Sequence, residues 1–293
     1  MVYKLIQGDS LEVLKTLKDN SIDNCITDPP YGMGMEHWDF AVPTKDIWLE
    51  VKRVLKPGGF CLSFCSPQLY HRMATAVDDA GFDIKDQIMW MITTKMPKKN
   101  RLKPAHEPIV VAQKPFKGSI KANFEEWGVG QIDVTNTRVP WDGKPPTGWV
   151  KGGMQRRTFG KDGKTTGTQK EFGKEDANPA GRYPSNIIGE VQKEHQKYFY
   201  APRVTRKERG EYNDHPTPKP ISLMSYLVKV YCPPDTIVLD PFCGSGSTGI
   251  GAILEGRHFI GIDLEQKYIN ISERRIQDHC SEILQKEVNN NVS

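Results

Sequence analysis

The sequence predicts an α/β fold, a mostly parallel sheet between helices, interrupted once by a long basic stretch. Three observations carry the prediction. Short apolar runs alternate with helix-length segments in both the first and the last third of the chain. That rhythm stops between about Lys114 and Arg209. Two of the apolar runs end abruptly in turns rich in chemistry, "TDPPYG" (27–32) and "LDPFCGSGSTG" (239–249).

Taken in order, "YKLIQ" (3–7) reads as a strand and Ser10 to Leu17 as a helix. "IDNCITD" (22–28) has the length and Ile/Cys/Thr content of a buried strand, and Pro29 and Pro30 forbid its continuation as strand or helix. A helix from Thr44 to Leu55 precedes the Lys56-Pro-Gly-Gly59 turn. "FCLSFC" (60–65) is a further buried strand, and Pro67 to Ala80 a helix ending at Gly81. "DIKDQIMWMI" (83–92) and "EPIVVAQ" (107–113) complete the first group of strands. Beyond the break come a helix from Pro220 to Tyr231, the strand "TIVLD" (236–240), a glycine turn, and a helix to about Leu254. The strand "HFIGID" (258–263) and a helix from Gln266 to about Leu284 follow. The expected division is thus 1–113, a basic insert over 114–209, 210–285, and a flexible tail at 286–293. Residues 148–186, rich in Gly, Lys and Thr, read as long loops.

A chain of 293 residues suits one large domain with an insertion. Its 6 cysteines are scattered, with no C-x-x-C pair, and point to free thiols in a reducing compartment. No metal site is expected. No apolar stretch approaches the ~20 residues of a membrane span, and Met1-Val-Tyr-Lys opens straight into a strand, so a soluble cytoplasmic protein is expected. The net charge of +4 conceals a segregation: residues 95–210 hold 24 Lys and Arg against 12 Asp and Glu, a net +12, which leaves −8 for the rest. An anion-binding middle set in an acidic framework fits a polyanion partner.

The turn Gly244-Ser-Gly246-Ser-Thr-Gly249 follows a strand, and Asp263 ends the next one. Glycines let backbone turn sharply and approach a ligand, and an acid at the second strand's tip can take ribose hydroxyls. A nicotinamide dinucleotide and S-adenosylmethionine both satisfy this pattern. Asp240, directly before the turn, would repel a pyrophosphate but suits a ligand carrying an ammonium and a sulfonium. With such a donor at the turn, Asp28 and the Pro29 carbonyl could each accept an N–H of an exocyclic amine and turn its lone pair towards the methyl, with Pro30 stiffening the loop and Tyr31 stacking on the base. In duplex DNA that requires a flipped nucleotide. Capping of the following helices is the competing role for Asp9, Asp240 and Asp263.

The chain resembles the amino-methyltransferases of DNA, in particular their permuted β group, in which "DPPY" (28–31) precedes the recognition region and "DPFCGSGSTG" (240–249) follows it. It is similar more narrowly to phage-type site-specific enzymes through "RVLKPGG", "GRYPSNII", "FYAPRVTRKER" and "NDHPTPKPISLM". The resemblance implies a Rossmann-like, circularly permuted, seven-stranded sheet with one antiparallel strand and an inserted target-recognition region. It implies Asp240, Phe242, Gly244 and Gly246 at the donor's methionine end, Asp263 at its ribose, and Asp9 near its adenosine. Thr217 and Lys219 then lie near the donor carboxylate. Arg156, Arg157, Arg203, Arg206, Lys207 and Arg209 become phosphate contacts of double-stranded DNA. Trp127, Trp141 and Trp149 are candidate wedges, with packing inside the insert as the competing role.

Adenine-N6 is the expected target, because family members acting on cytosine more often carry Ser where Asp28 stands. Cytosine-N4 methylation is the alternative, and RNA adenine methylation a weaker one. A homodimer and a cognate restriction endonuclease are further partners that the resemblance leaves open. Carbon-5 methylation is excluded, since no Pro-Cys dipeptide occurs.

Overall fold

The computed structural model describes residues 2–32, 41–92, 104–141, 149–150, 174–175, 178–189, 206–209, 211–215 and 217–290. In chain order the elements are β1 (Tyr3–Gln7), α1 (Ser10–Thr16), β2 (Asn24–Thr27), α2 (Lys45–Val54), β3 (Phe60–Phe64) and α3 (Tyr70–Asp79). Next come β4 (Asp83–Met91), β5 (His106–Gln113), α4 (Ile120–Trp127), β6 (Trp149–Val150), β7 (Lys174–Glu175) and β8 (Ile187–Gly189). The last are α5 (Arg206–Arg209), α6 (Ile221–Tyr231), β9 (Ile237–Asp240), α7 (Ser247–Leu254), β10 (His258–Asp263) and α8 (Gln266–Asn290).

Eight strands form one sheet in the order β1-β10-β9-β2-β3-β5-β4-β8. Only β5 runs against the others, pairing antiparallel with β3 on one side and β4 on the other. The sheet has one strand more than expected, because Ile187–Gly189 pairs parallel with β4. Three residues flanked by turn formers are too short to show a period of two. Helix α4 also went unread. It is capped by the Ser119 hydroxyl, which accepts from Ala122 N at 3.1 Å, and ends at Gly128 in the left-handed region. Helix α8 runs on to Asn290, past the expected end at Leu284.

The central strands β2, β3, β5, β9 and β10 are largely buried on both faces, as a covered sheet requires. Ile26, Leu62, Ile109, Val238 and Phe259 point into the core shared with α6, α7 and α8. Their sequence neighbours Cys25, Cys61, Val110, Leu239 and Ile260 point into the core shared with α1, α2 and α3. All six cysteines are buried free thiols. No helix among the described residues is long and apolar enough to cross a membrane.

Two compact units result: residues 1–137 with 185–293, and residues 138–184. Residues 114–137 and 185–209 of the basic stretch therefore belong to the first unit. Within the second, β6 pairs antiparallel with β7 and Val139 bridges Arg182.

One consequence is that five parallel strands, β1, β10, β9, β2 and β3, end along one edge, which collects Gly8, Asp9, Asp263, Asp240 and Asp28. Because β5 is reversed, its first residues, His106 and Glu107, come to the same edge. The core that holds these ends is sensitive to cavities. Leu62→Ala, at a position with no exposure, is expected to lower unfolding free energy by about 2–5 kcal/mol in urea titrations.

Candidate active site

Asp28 stands just past β2, where the backbone turns through Pro29 and Pro30. Gly32 closes the turn at φ +68°, and a Cβ there would lie 3.0 Å from the Ala41 backbone, so a larger residue would strain the loop. The Tyr31 hydroxyl donates to Asp28 Oδ1 at 2.5 Å. Lys219 Nζ donates to the other oxygen, Oδ2. That ammonium also lies 3.8 Å from Glu107 Oε2 and beside the rings of Phe64 and Tyr31, at 5.2 and 5.7 Å.

Burial governs the electrostatics here. It raises the Asp28 pKa, with Lys219 opposing the rise and Glu107 adding to it. Burial works against the Lys219 charge too, but Asp28 and Glu107 outweigh it and hold the ammonium's pKa above the ordinary value. Burial and the Asp28 charge push the Tyr31 phenol well up, so it remains a hydrogen-bond donor. The Lys219 ammonium, expected by resemblance near the donor carboxylate, is paired here with Asp28.

The glycine turn follows β9. Asp240, buried at 2% exposure, accepts from the Thr27 hydroxyl at 2.7 Å and from Phe242 N at 3.1 Å through Oδ1, and from the Thr248 hydroxyl at 2.7 Å through Oδ2. Its carboxylate thus links the end of β2 to the start of α7. Gly244 and Gly246 have φ of +49° and +77°. A Cβ on Gly244 would lie 2.8 Å from His215 Nε2, and one on Gly246 would lie 2.7 Å from the Ser272 hydroxyl. The close approach that demands glycine is therefore to the protein's own His215 and α8. Asp263 accepts from Gly244 N and Glu265 N, both at 2.9 Å, and so pins the turn to the end of β10. Asp9 caps α1, accepting from Glu12 N at 3.1 Å, and Gly8 N donates to the Asp263 carbonyl.

Arg275, fully buried, fastens the turn from beneath. Its Nη1 donates to the Ser245 carbonyl at 2.6 Å and to the hydroxyls of Ser245 and Ser247, and its Nη2 donates to the Glu208 carbonyl at 3.2 Å. The Glu208 carboxylate accepts from Ile221 N at the start of α6. His215 packs edge-on against Tyr268. Its pKa is lowered to about 4 by burial and by Lys219, Arg275 and Arg209, so it is neutral near pH 7.

Thr217 is exposed, and its N–H donates to His215 Nδ1 at 3.4 Å. Arg209 donates to the carbonyls of Asn213 and His215, at 3.3 and 2.8 Å, and so braces the 213–215 loop. Arg156, Arg157 and Arg203 lie outside the described residues, as do the side chains of Arg206 and Lys207, whose backbone forms α5, and of Trp149. Trp127 ends α4. Trp141 donates from Nε1 to the Asn178 carbonyl at 2.7 Å and carries the Arg182 guanidinium 4.4 Å from its ring centre. Sequence reasoning missed Glu107, Thr27, Thr248 and Arg275. Among the described residues no three His, Cys, Asp or Glu gather as a metal site.

An acid-proline turn and a glycine turn side by side on the carboxyl edge of a mostly parallel sheet define a Rossmann-like methyltransferase. A family model described as DNA methylase, the N6/N4 methyltransferases, matches residues 22–274, and the chain belongs to that family. The type II methyltransferase M.HinfI of Haemophilus influenzae is 26% identical over 94% of this chain and 68% of its own length. M.ScaI of Streptomyces caespitosus is 25% identical over 93% of this chain and 81% of its own. Among solved structures, the PvuII cytosine-N4-specific DNA methyltransferase superposes with a TM-score of 0.60 at 19% identity, covering 97% of this chain and 93% of that one. The complex of M1.HpyAVI with S-adenosylmethionine gives 0.53 at 23% identity, covering 94% and 100%. At those identities the structures show the shared fold.

S-adenosylmethionine is the methyl donor of this family. The charge at the edge is compatible with it: Asp9, Asp28, Glu107 and Asp263 outnumber the Lys219 ammonium there, as a ligand with a sulfonium and an ammonium requires.

Asp240 generates a pH prediction. Burial raises its pKa to about 6, with Thr248, Thr27 and Phe242 N opposing. A carboxyl whose folded pKa exceeds its unfolded value is penalised when charged, so this group's contribution weakens as pH rises from about 4 to about 6. Asp240→Asn lacks that penalty. Relative to wild type its unfolding free energy is expected to improve by up to about 3 kcal/mol between pH 4 and pH 7 in urea titrations. A difference between the two proteins that does not change with pH would contradict the assignment.

Proposed function

We propose that this DNA amino-methyltransferase acts on the N6 amino group of adenine, in a nucleotide flipped out of duplex DNA. The observation that carries the reading is the part-buried Asp28 carboxylate at the end of β2, two strands from the acid that pins the donor turn. When bound, S-adenosylmethionine supplies a methyl group on a positively charged sulfur. Asp28 accepts one N–H of the target amine and the Pro29 carbonyl the other, which turns the nitrogen lone pair out of conjugation with the ring. Tyr31 offers the base an aromatic face. Neutral His215 leaves the edge without an added cation that would repel the donor.

Asp at position 28 supports adenine, since family members acting on cytosine more often carry Ser there. Cytosine-N4 methylation is the second reading. A fold shared with the cytosine-N4-specific PvuII enzyme favours it, because the same two acceptors serve either exocyclic amine. In this reading residues 1–113 and 210–285 are the catalytic and donor halves of one permuted domain, and α8 continues from the donor half to Asn290 in place of the expected tail. The neighbouring positions of β1 with β10 and of β2 with β9 support that arrangement. Asp9, Asp240, Phe242, Gly244, Gly246, Asp263 and Thr217 shape the donor site, and residues 114–209 recognise the target.

Incubation with labelled S-adenosylmethionine and mixed-sequence duplex DNA, followed by digestion to nucleosides, tests the proposal. The label is expected in N6-methyldeoxyadenosine; label in N4-methyldeoxycytidine would replace adenine by cytosine. For the basic stretch, Arg156→Ala with Arg157→Ala should reduce the slope of log affinity against log salt by up to about 2, on the rule of about 0.9 per phosphate contact. An unchanged slope would remove both from the phosphate contacts.

A further inference from the structure

The Lys219 ammonium sits between two carboxylates and is hydrogen-bonded to only one of them. Its side chain is 6% exposed, against 20% for Asp28 and 12% for Glu107. An ion so buried must remain paired at every stage of a reaction, because an uncompensated buried charge is costly. Yet its place on Asp28 Oδ2 is a place the target amine must share, since the Tyr31 hydroxyl already holds Oδ1. Glu107 Oε2, at 3.8 Å, lies about one ångström beyond an ordinary charge-assisted hydrogen bond. The rings of Phe64 and Tyr31 lie 5.2 and 5.7 Å from the ammonium, and aromatic faces at such distances attract a cation.

We propose that Glu107 is a positioning residue for methyl transfer, the second seat to which the Lys219 ammonium shifts when an amine donates to Asp28. The inference rests on the amine-acceptor role of Asp28 given above. The shift moves no covalent bond: the ammonium exchanges one carboxylate for another, and Asp28 Oδ2 becomes available to the incoming N–H. The sheet topology supplies the second seat, because the reversed strand β5 brings Glu107 to an edge where the parallel strands end.

Charge and shape make opposite demands at position 107, which allows a direct test. Gln keeps the length and loses the charge; Asp keeps the charge and loses a methylene. Single-turnover methyl transfer at saturating donor and duplex is expected to fall in the order wild type, Glu107→Asp, Glu107→Gln, with the Gln variant at least about tenfold below the Asp variant. A Gln variant equal to or faster than the Asp variant would overturn the proposal in favour of a packing role. A second measurement does not depend on activity. Lys219→Met strands two carboxylates together and should lower the melting temperature, and Glu107→Gln in that background should restore part of the loss. Purely additive effects of the two substitutions would also overturn the proposal. Should wild type label no DNA at all, the methyl-transfer reading fails, while the melting cycle still decides whether Glu107 seats the ammonium.

Discussion

The whole site depends on holding charge at a sheet edge where the Lys219 ammonium and the Asp240 carboxylate are buried. The buried Lys219 ammonium forms a cluster with the part-buried Asp28 and Glu107, two negative groups and one positive, beside the rings of Phe64 and Tyr31. Such clusters are weak stabilisers, because desolvation offsets most of the attraction. Their value lies in orientation. On the proposed reading, an acceptor fixed at the end of a buried strand loses little freedom when a substrate amine arrives, and positioning of that kind can supply much of a rate enhancement.

The donor side is organised by the same economy of buried polar groups. Asp240 spends both oxygens on Thr27, Thr248 and Phe242 N, and Asp263 spends both on the backbone of Gly244 and Glu265. Thr27 directly precedes Asp28, so the Asp240 carboxylate ties the residue beside Asp28 to the helix that follows the glycine turn. Arg275 adds a second tie, from the turn to α5 and onward through Glu208 to α6, which begins two residues after Lys219. The acid-proline and glycine turns, more than two hundred residues apart in sequence, are thereby held by two sets of buried and part-buried hydrogen bonds.

Local chemistry made much of this legible in the sequence. Two prolines after an apolar run mark a strand end, and glycines after another mark a tight turn, whatever the rest of the chain does. The sites of Asp28, Tyr31, Gly244 and Asp263 follow from those signals. Non-local pairing hid the rest. Glu107 reaches the edge only because β5 is reversed, which its apolar run does not disclose. The resemblance puts Lys219 near the donor carboxylate, and no spacing in the sequence discloses that its ammonium also pairs with Asp28, 191 residues away. The tight glycines face His215 and Ser272, partners that no spacing rule identifies. Strand β8 and helix α4 escaped because one is three residues long and the other offers a single buried position, Asn123.

The most direct measurement compares Asp28→Ala with wild type, by calorimetric binding of S-adenosylmethionine and by single-turnover methyl transfer to duplex DNA. Donor affinity within a few fold of wild type, with transfer slower by on the order of a hundredfold or more, is the predicted result. Transfer at the wild-type rate would contradict the assignment of Asp28 as the acceptor that prepares the amine.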